Sequence, residues 1–511
     1  MSSTLRLSLL LIVLTVTAYY AVLQFRVVRI PHPITPDEPG FTEITAAKNP
    51  FTFDGVVTCA NAYGPGYPWW ARPFTAAIAN PYIAHRVASS VALFLSLIVL
   101  GCAARNSGAG RVEISAALAI VYILNVSSHS MVASTDFLGM ALYLAAIAVS
   151  RRGTWTALLA GLVLATLAML TKPYFALAWL IIGSHQLLFA PLRRALGFLA
   201  LSAILGLVVC GLLRALAPYY FLTTFFTQGV ASSRSFNLLL SQTTAFAVLA
   251  GGIILLAVLH RPRRRVVAFA LAAPPLSPPI DLWAWTSLVA TAALLGVMGW
   301  HPGNFLAYFY HLLLGPLAIV ALGRLREWPR LGPALLGINL LVLGYLLPSQ
   351  PTNNNWDALA ADVAKISGPI LADPLLEPLT HDRPNLELFF HGQTASVLQA
   401  LDNKGAAMPA AYREIYRELL HQEEKTSARI SAAEFSAIYL SYQDLGQAST
   451  WSYEHRHIID ALRARYRIVG EVVIFPYATP YWDRLQHGHY PYHITRWEPR
   501  AVAKSLAAAK Y

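Results

Sequence analysis

The chain has 511 residues, of which 56% are hydrophobic and only 13% charged, yet it carries a net charge of +12. So high an apolar share excludes intrinsic disorder, and three scattered cysteines (Cys59, Cys102, Cys210) exclude a secreted disulfide scaffold. A basic balance ordinarily points to nucleic acid or an acidic surface, so the placement of the charges decides its meaning.

Composition changes at residue 347. Residues 1–347 hold 22 Lys/Arg and 8 Asp/Glu, whereas residues 348–511 hold 16 and 18. The first region reads as a polytopic membrane domain and the second as a soluble domain. The whole basic excess lies in the membrane part, so nucleic acid is not an expected partner. A bilayer core takes about 20 apolar residues in helical form. On that scale spans are predicted near 5–25, 83–104, 112–132, 137–150, 153–171, 174–190, 195–217, 240–259, 282–300, 305–323 and 331–347, about eleven in all. The 137–150 span is short, and 266–281 is a proline-broken candidate for a further half-span. The first span has too long an apolar run for a signal peptide and no small-x-small site before Arg26.

Alternate loops collect 14 arginines, from Arg6 through the Arg151/Arg152 and Arg193/Arg194 pairs to Arg330. The positive-inside rule makes that side cytoplasmic, with the amino terminus inside. An odd number of spans then puts the carboxy-terminal domain outside; a miscounted span would reverse that end.

The outer side holds the unusual features. A long loop, 27–82, joins the first two spans. It opens TPDEPGFTEI, with Asp37 and Glu38 at the level where headgroups meet water. Carboxylates there are candidates for general-base work, because partial burial raises a carboxyl pKa toward neutrality. A plainer reading is a helix start, with Thr35 as cap, Pro36 at the first position and Glu38 at the third; it explains Glu38 better than Asp37. The loop continues NAYGPGYPWWARPF, residues 61–74. Tyr63 and Tyr67 flank a glycine-rich turn, and Trp69, Trp70, Arg72 and Phe74 suit a short interfacial helix, with or without chemistry.

Asp136 in ASTDFLG opens the fourth predicted span, and Lys172 in MLTKPYF closes the fifth. Arg234 lies on a second outer stretch, 218–239, which suits an interfacial helix better than a span. Charges at membrane depth are costly and are candidates for function. Lys172 and Arg234 could equally snorkel to headgroups, and Asp136 could serve only the helix dipole. Their common side argues for a site that takes an anionic lipid headgroup. A last outer turn, GWHPGNFLAYFYH, brings His301 and Asn304 to the same level, with Tyr308 one turn inside. His311 reads as a core or cavity-lining residue. The His455/His457 and His487/His489 pairs lack a third ligand at sensible spacing, which leaves zinc weakly supported.

The soluble tail alternates strand and helix signals over 369–373, 410–420, 435–441, 458–466, 467–475 and 492–499. This predicts a small α/β domain over the outer face.

Asp37-Glu38 after the first span, NAYGPGYP, ASTDFLG, TKPYF and the late GNFLAYFYHLLLGPLAI stretch together resemble the GT-C superfamily. These are polytopic glycosyltransferases that use polyprenyl-phosphate sugars, with protein O-mannosyltransferases and aminoarabinose transferases among them. The resemblance covers residues 1–347 and extends loosely to the tail. It implies a mostly α, polytopic transmembrane bundle with a C-terminal extracytoplasmic α/β domain, in the bacterial inner membrane. It also implies transfer, with inversion, of a sugar from a polyprenyl-phosphate donor to a hydroxyl of a glycan, lipid or protein. Asp37 would be the base and Glu38 would assist or orient, although Pro39 and Gly40 depart from the helix-favouring residues common after that pair. Lys172, Arg72 and Arg234, in that order, are candidates for the donor phosphate. Asp136, Tyr63, Tyr67, His301 and Asn304 are candidates for substrate contacts. Some relatives use a divalent metal; no clear metal set is visible, so that question stays open. A secondary transporter or lipid flippase is the main alternative, but such proteins usually show internal repeats and mid-membrane sites, and neither is evident. A non-catalytic anchor displaying the tail would not need ionisable residues at one rim.

Overall fold

The computed structural model describes residues 3–34, 37–61, 63–127, 134–226, 236–259, 280–297, 308–346, 355–389, 392–442, 456–474 and 492–500. Each predicted span falls on a helix. The first is α1 (Ser3–Val28), and the long outer loop follows with α2 (Asp37–Ala46), α3 (Phe53–Cys59) and α4 (Gly66–Ala77). The bundle continues with α5 (Pro81–Ala104), α6 (Arg111–Asn125), α7 (Asp136–Ser150), α8 (Trp155–Thr171), α9 (Leu177–Phe189), α10 (Leu192–Leu216), α11 (Phe236–Leu249) and α12 (Gly251–Val258). Helices Ile280–Val297, Gly315–Arg324 and Leu331–Leu346 complete it. Among the described residues α1, α5 and α10 are each long and apolar enough to cross a bilayer alone, and shorter apolar helices pack between them.

The outward faces are apolar. Leu188 and Leu207 are 70% and 75% exposed, which in water would be a liability and in lipid is the expected surface. The predicted 240–259 span is broken: α11 and α12 meet at 81°. Asn339 satisfies the backbone there. Its amide donates to the Leu249 carbonyl at 2.7 Å, and its oxygen accepts from the Gly252 N–H at 2.9 Å. A Cβ on Gly252 would lie 2.5 Å from the Leu335 carbonyl oxygen, so a glycine is what allows this close crossing.

The outer loop is more helical than its turn-rich sequence suggests. Thr52 caps α3, and Asn80 caps α5 with Pro81 at the first position. The expected interfacial helix is α4, with Trp69 exposed and the Trp70 indole donating to the Ala88 carbonyl at 3.0 Å. Of the second outer stretch, residues 218–226 are described and end in a π turn, Leu222–Phe226, and residues 236–239 open α11.

The tail is an α/β domain, as expected. Its strands are β1 (Ile370–Ala372), β2 (Leu386–Leu388), β3 (Ala437–Tyr442), β4 (Tyr466–Ile474) and β5 (Tyr492–Pro499), in the order β2-β1-β3-β5-β4. β1 runs parallel to β2 and β3, while β5 is antiparallel to β3 and β4. The three-residue β2 and the helices Trp356–Ala364 and Gly392–Asp402 were not among the predicted elements.

Loop and tail are packed as one layer. Val56, Val57 and Ala60 share a core with Val397, Leu401, Ile415 and Leu419, and Val27 and Ile34 share another with Leu359, Val363 and Ile370. His32 stacks on Trp356, and the Thr394 hydroxyl accepts from the Ala60 N–H at 3.0 Å. This layer sits on the end of the bundle where α7 begins and α8 ends.

Candidate active site

At the end of α8 the chain must change course, because Pro173 disfavours helical backbone at the residue before it. Lys172 is accordingly extended, and a short 3-10 turn, Pro173–Ala176, presents Tyr174. Both side chains converge on Asp136, the first residue of α7. The Lys172 ammonium lies 3.0 and 3.1 Å from the two carboxylate oxygens, and the Tyr174 hydroxyl donates to Oδ1. Gly139, one turn further along α7, makes the convergence possible: a Cβ there would lie 2.1 Å from the Phe175 ring and 2.6 Å from the Thr171 hydroxyl.

A fourth member comes from late in the bundle. His311, on the π turn Phe309–Leu314, places Nδ1 at 3.2 Å from the Tyr174 hydroxyl and 3.7 Å from Asp136. Tyr308 meets the Tyr174 ring edge to face at 4.9 Å. The cluster is graded in exposure. The His311 side chain is fully buried, that of Asp136 is 9% exposed and that of Lys172 is 23% exposed, so the cation is the most accessible of these three.

The outer loop closes over this cation. Lys172 lies 5.0 Å from the centre of the Tyr63 ring and 5.5 Å from that of Tyr174, both within cation–π range. Tyr63 is held there by its neighbours. The Asn61 side chain accepts from the Tyr63 N–H at 2.9 Å, and the Gly64 N–H donates to the Thr171 carbonyl at 3.1 Å. Phe41 of α2 stacks on the Tyr63 ring at 5.6 Å. From Asp136 a polar chain leads back to the loop. The Ser134 hydroxyl donates to Asp136 at 3.2 Å, Ser89 accepts from the Ser134 N–H at 2.8 Å, and the Tyr67 hydroxyl lies 3.4 Å from Ser89 and 3.1 Å from His85 Nδ1.

Glu38 has a different setting from the one its sequence position implied. It is buried in a fork with Arg86: Nε donates to Oε1 at 2.7 Å and Nη2 to Oε2 at 2.6 Å, while the Ile34 N–H also donates to Oε2 at 2.8 Å. Arg86 binds the carbonyls of Val27, Ile30 and His32 as well, so the pair ties the exit of α1 to the start of α2. A carboxylate so committed positions the neighbouring backbone and is not open to substrate. Asp37 is the next residue, at the first position of α2; its side chain lies outside the described residues. Arg72 is exposed, and its guanidinium donates to the carbonyls of Ala47 and Lys48 at 3.1 and 3.2 Å, away from the lysine cluster's hydrogen bonds. Arg234, His301, Asn304, His455, His487 and His489 lie outside the described residues, as does the side chain of His457 in the helix Arg456–Arg465.

The structure therefore brings together Asp136, Lys172 and Tyr63 of the expected site, with Tyr67 one layer behind. Sequence reasoning missed Tyr174 and Arg86 and read His311 only as a core or cavity-lining residue. The signal for Arg86 was present, since an arginine inside a predicted span needs a partner. Tyr174 lay within the quoted TKPYF motif. Among the described residues no group of three or more His, Cys, Asp or Glu side chains is placed to hold a metal ion.

A second acidic contact lies between loop and tail. Burial pushes the Glu43 carboxyl of α2 up to about 7, against a hydrogen bond from Cys59 and with the carboxylate of Glu377 nearby. Glu377 accepts from the Tyr82 hydroxyl at 2.5 Å.

No protein-family model matches the chain, and no protein of curated function is similar to it by sequence. Among solved structures it is similar to the crystal structure of ArnT from Cupriavidus metallidurans in the apo state. That likeness has a TM-score of 0.53 and 12% identity over 95% of this chain and 97% of that one. It is also similar to ArnT of the same organism bound to undecaprenyl phosphate, with a TM-score of 0.52 and 13% identity over the same shares. The likeness spans membrane bundle and tail together, and the fold that the sequence motifs implied is the fold observed.

Proposed function

We propose that the chain is an integral-membrane glycosyltransferase that moves a sugar from a polyprenyl-phosphate carrier to an acceptor hydroxyl at the tail end of its bundle. The observation that carries this reading is Lys172, a partly exposed cation fixed by Asp136 and Tyr174 beneath Tyr63. The fold likeness adds support, since one of the two ArnT structures holds undecaprenyl phosphate.

In the proposed reaction the acceptor oxygen bonds to the anomeric carbon as the bond from that carbon to the phosphate oxygen breaks. The electron pair leaves with the phosphate, and the acceptor proton passes to a carboxylate, assigned to Asp37. Attack opposite to the leaving group inverts the centre. Lys172 meets the charge that develops on the leaving phosphate. Two of its three N–H bonds are directed at Asp136, which leaves one for the ligand. Such a preorganised donor is worth on the order of 10²–10³-fold in turnover. Tyr63 and Tyr174 keep the ammonium from wandering, and the Glu38–Arg86 fork fixes the backbone that carries Asp37.

In this reading the basic loops face the cytoplasm, and the tail faces the opposite side of a bacterial inner membrane. The sugar and the acceptor class (glycan, lipid or protein) are matters for assay. The first experiment is binding of undecaprenyl phosphate to the purified protein in nanodiscs. Wild type is expected to bind, and Lys172→Met to bind at least ten-fold more weakly. Equal binding by both would remove Lys172 from the donor site.

A further inference from the structure

The other end of the bundle carries a second set of polar groups that the transfer reaction does not use. Arg151 caps α7, and its guanidinium lies over the Trp283 indole, 5.9 Å from the ring centre. α9, which carries His185, packs against the helix Ile280–Val297 that carries Trp283. Trp283 and His185 are 1% and 4% exposed, and among the described residues Trp283 Nε1 and His185 Nε2 are both buried with no hydrogen-bond partner. Buried polar atoms in native proteins are nearly always satisfied, so two in one neighbourhood point to a group that is not part of the chain.

The surroundings say what that group is. Arg194 fastens the same region: Nε donates to the Gln186 side chain of α9 at 2.8 Å, and its Nη atoms donate to the carbonyls of Gly153 and Thr154 in the turn after Arg151. Arg152 and Arg193 are exposed beside these two. A positive rim around buried ring nitrogens, at the level where spans leave the bilayer, suits a tetrahedral oxyanion borne by a lipid.

We propose that Arg151, His185 and Trp283 form a binding site for the phosphate of an anionic phospholipid headgroup, at the end of the bundle opposite the tail. The arginine supplies charge, the two ring nitrogens supply directed hydrogen bonds, and the acyl chains lie along the apolar outer faces of the adjoining helices. The site is separate from the lysine cluster and does not depend on the transferase reading.

The test is titration of the full-length protein in detergent with phosphatidylglycerol, phosphatidylcholine or inorganic phosphate, followed by native mass spectrometry and thermal unfolding. Phosphatidylglycerol is expected to be retained and to raise the unfolding temperature, whereas phosphatidylcholine is not. Trp283→Phe, which removes only the N–H and keeps a large ring, should weaken retention at least three-fold, and Arg151→Gln at least ten-fold. Stabilisation by inorganic phosphate with the same sensitivity to both variants, and none by the lipid, would support the oxyanion site but assign it to a free anion. Equal retention of the two lipids by wild type, or unchanged selectivity in both variants, would overturn the proposal. The wild-type comparison stands even if a variant fails to fold.

Discussion

Lys172 is placed by one proline and held by one carboxylate. Pro173 takes it out of the helix, and Asp136 with Tyr174 sets where the ammonium comes to rest. Tyr174→Phe leaves the ring contacts and removes one hydrogen bond to Asp136. Turnover is expected to fall about ten-fold, roughly the 1.4 kcal/mol that such a bond is worth, with the unfolding temperature nearly unchanged. The Glu38–Arg86 fork is expected to behave differently, because both charges are buried. Arg86→Met strands Glu38 and should cost about 3–5 kcal/mol, whereas Glu38→Leu together with Arg86→Met should cost less than that single change. Denaturant unfolding of the three proteins tests the order. Glu43 gives a pH signature. Its folded-state value near 7 lies above the ordinary carboxyl value of 4.5, so the folded state favours the neutral form. The stability this confers is complete below about pH 4.5 and is lost as pH rises through 7, at most about 3 kcal/mol in all. Glu43→Gln stays neutral, so it should unfold at a higher temperature than wild type at pH 8 and at nearly the same temperature at pH 4.5.

Among the elements, the first outer loop is the one that turns a bundle into a site. It rests on the end of α8 through Gly64, where a Cβ would lie 1.9 Å from the Leu170 carbonyl oxygen. Gly64→Ala is expected to lift Tyr63 off Lys172 and reduce turnover at least ten-fold while the bundle stays folded; activity and circular dichroism on one preparation check this. The positions of the spans were legible in the sequence because lipid imposes a long apolar run on each. Asp136 and Lys172 were legible as candidates because a charge at that depth is rare. What was not legible depends on partners distant in sequence. The fork that commits Glu38 is made by an arginine 48 residues on. The break between α11 and α12 depends on Asn339, 87 residues from Gly252. The three-residue β2 carries no periodicity to read, and it exists because β1 pairs with it.

At the scale of the whole molecule, the proposed reading makes the +12 charge a record of orientation, with the tail on the side opposite the basic loops. Fourteen arginines fall between the predicted spans or at their ends, and the tail packs against the first long loop through shared apolar cores. A cysteine placed at the exposed Lys404 position is therefore expected to react with a membrane-impermeant maleimide on intact cells; labelling only after lysis would reverse the orientation. The central claim is chemical and has a direct assay. Purified protein in nanodiscs is mixed with a panel of polyprenyl-phosphate sugars and candidate acceptors, and release of free polyprenyl phosphate is followed with time. The account predicts acceptor-dependent release by wild type with at least one donor, and a loss of 10²-fold or more in both Lys172→Met and Asp37→Asn. Release at the wild-type rate by both variants, or no release from any donor by a protein that binds polyprenyl phosphate, would contradict it.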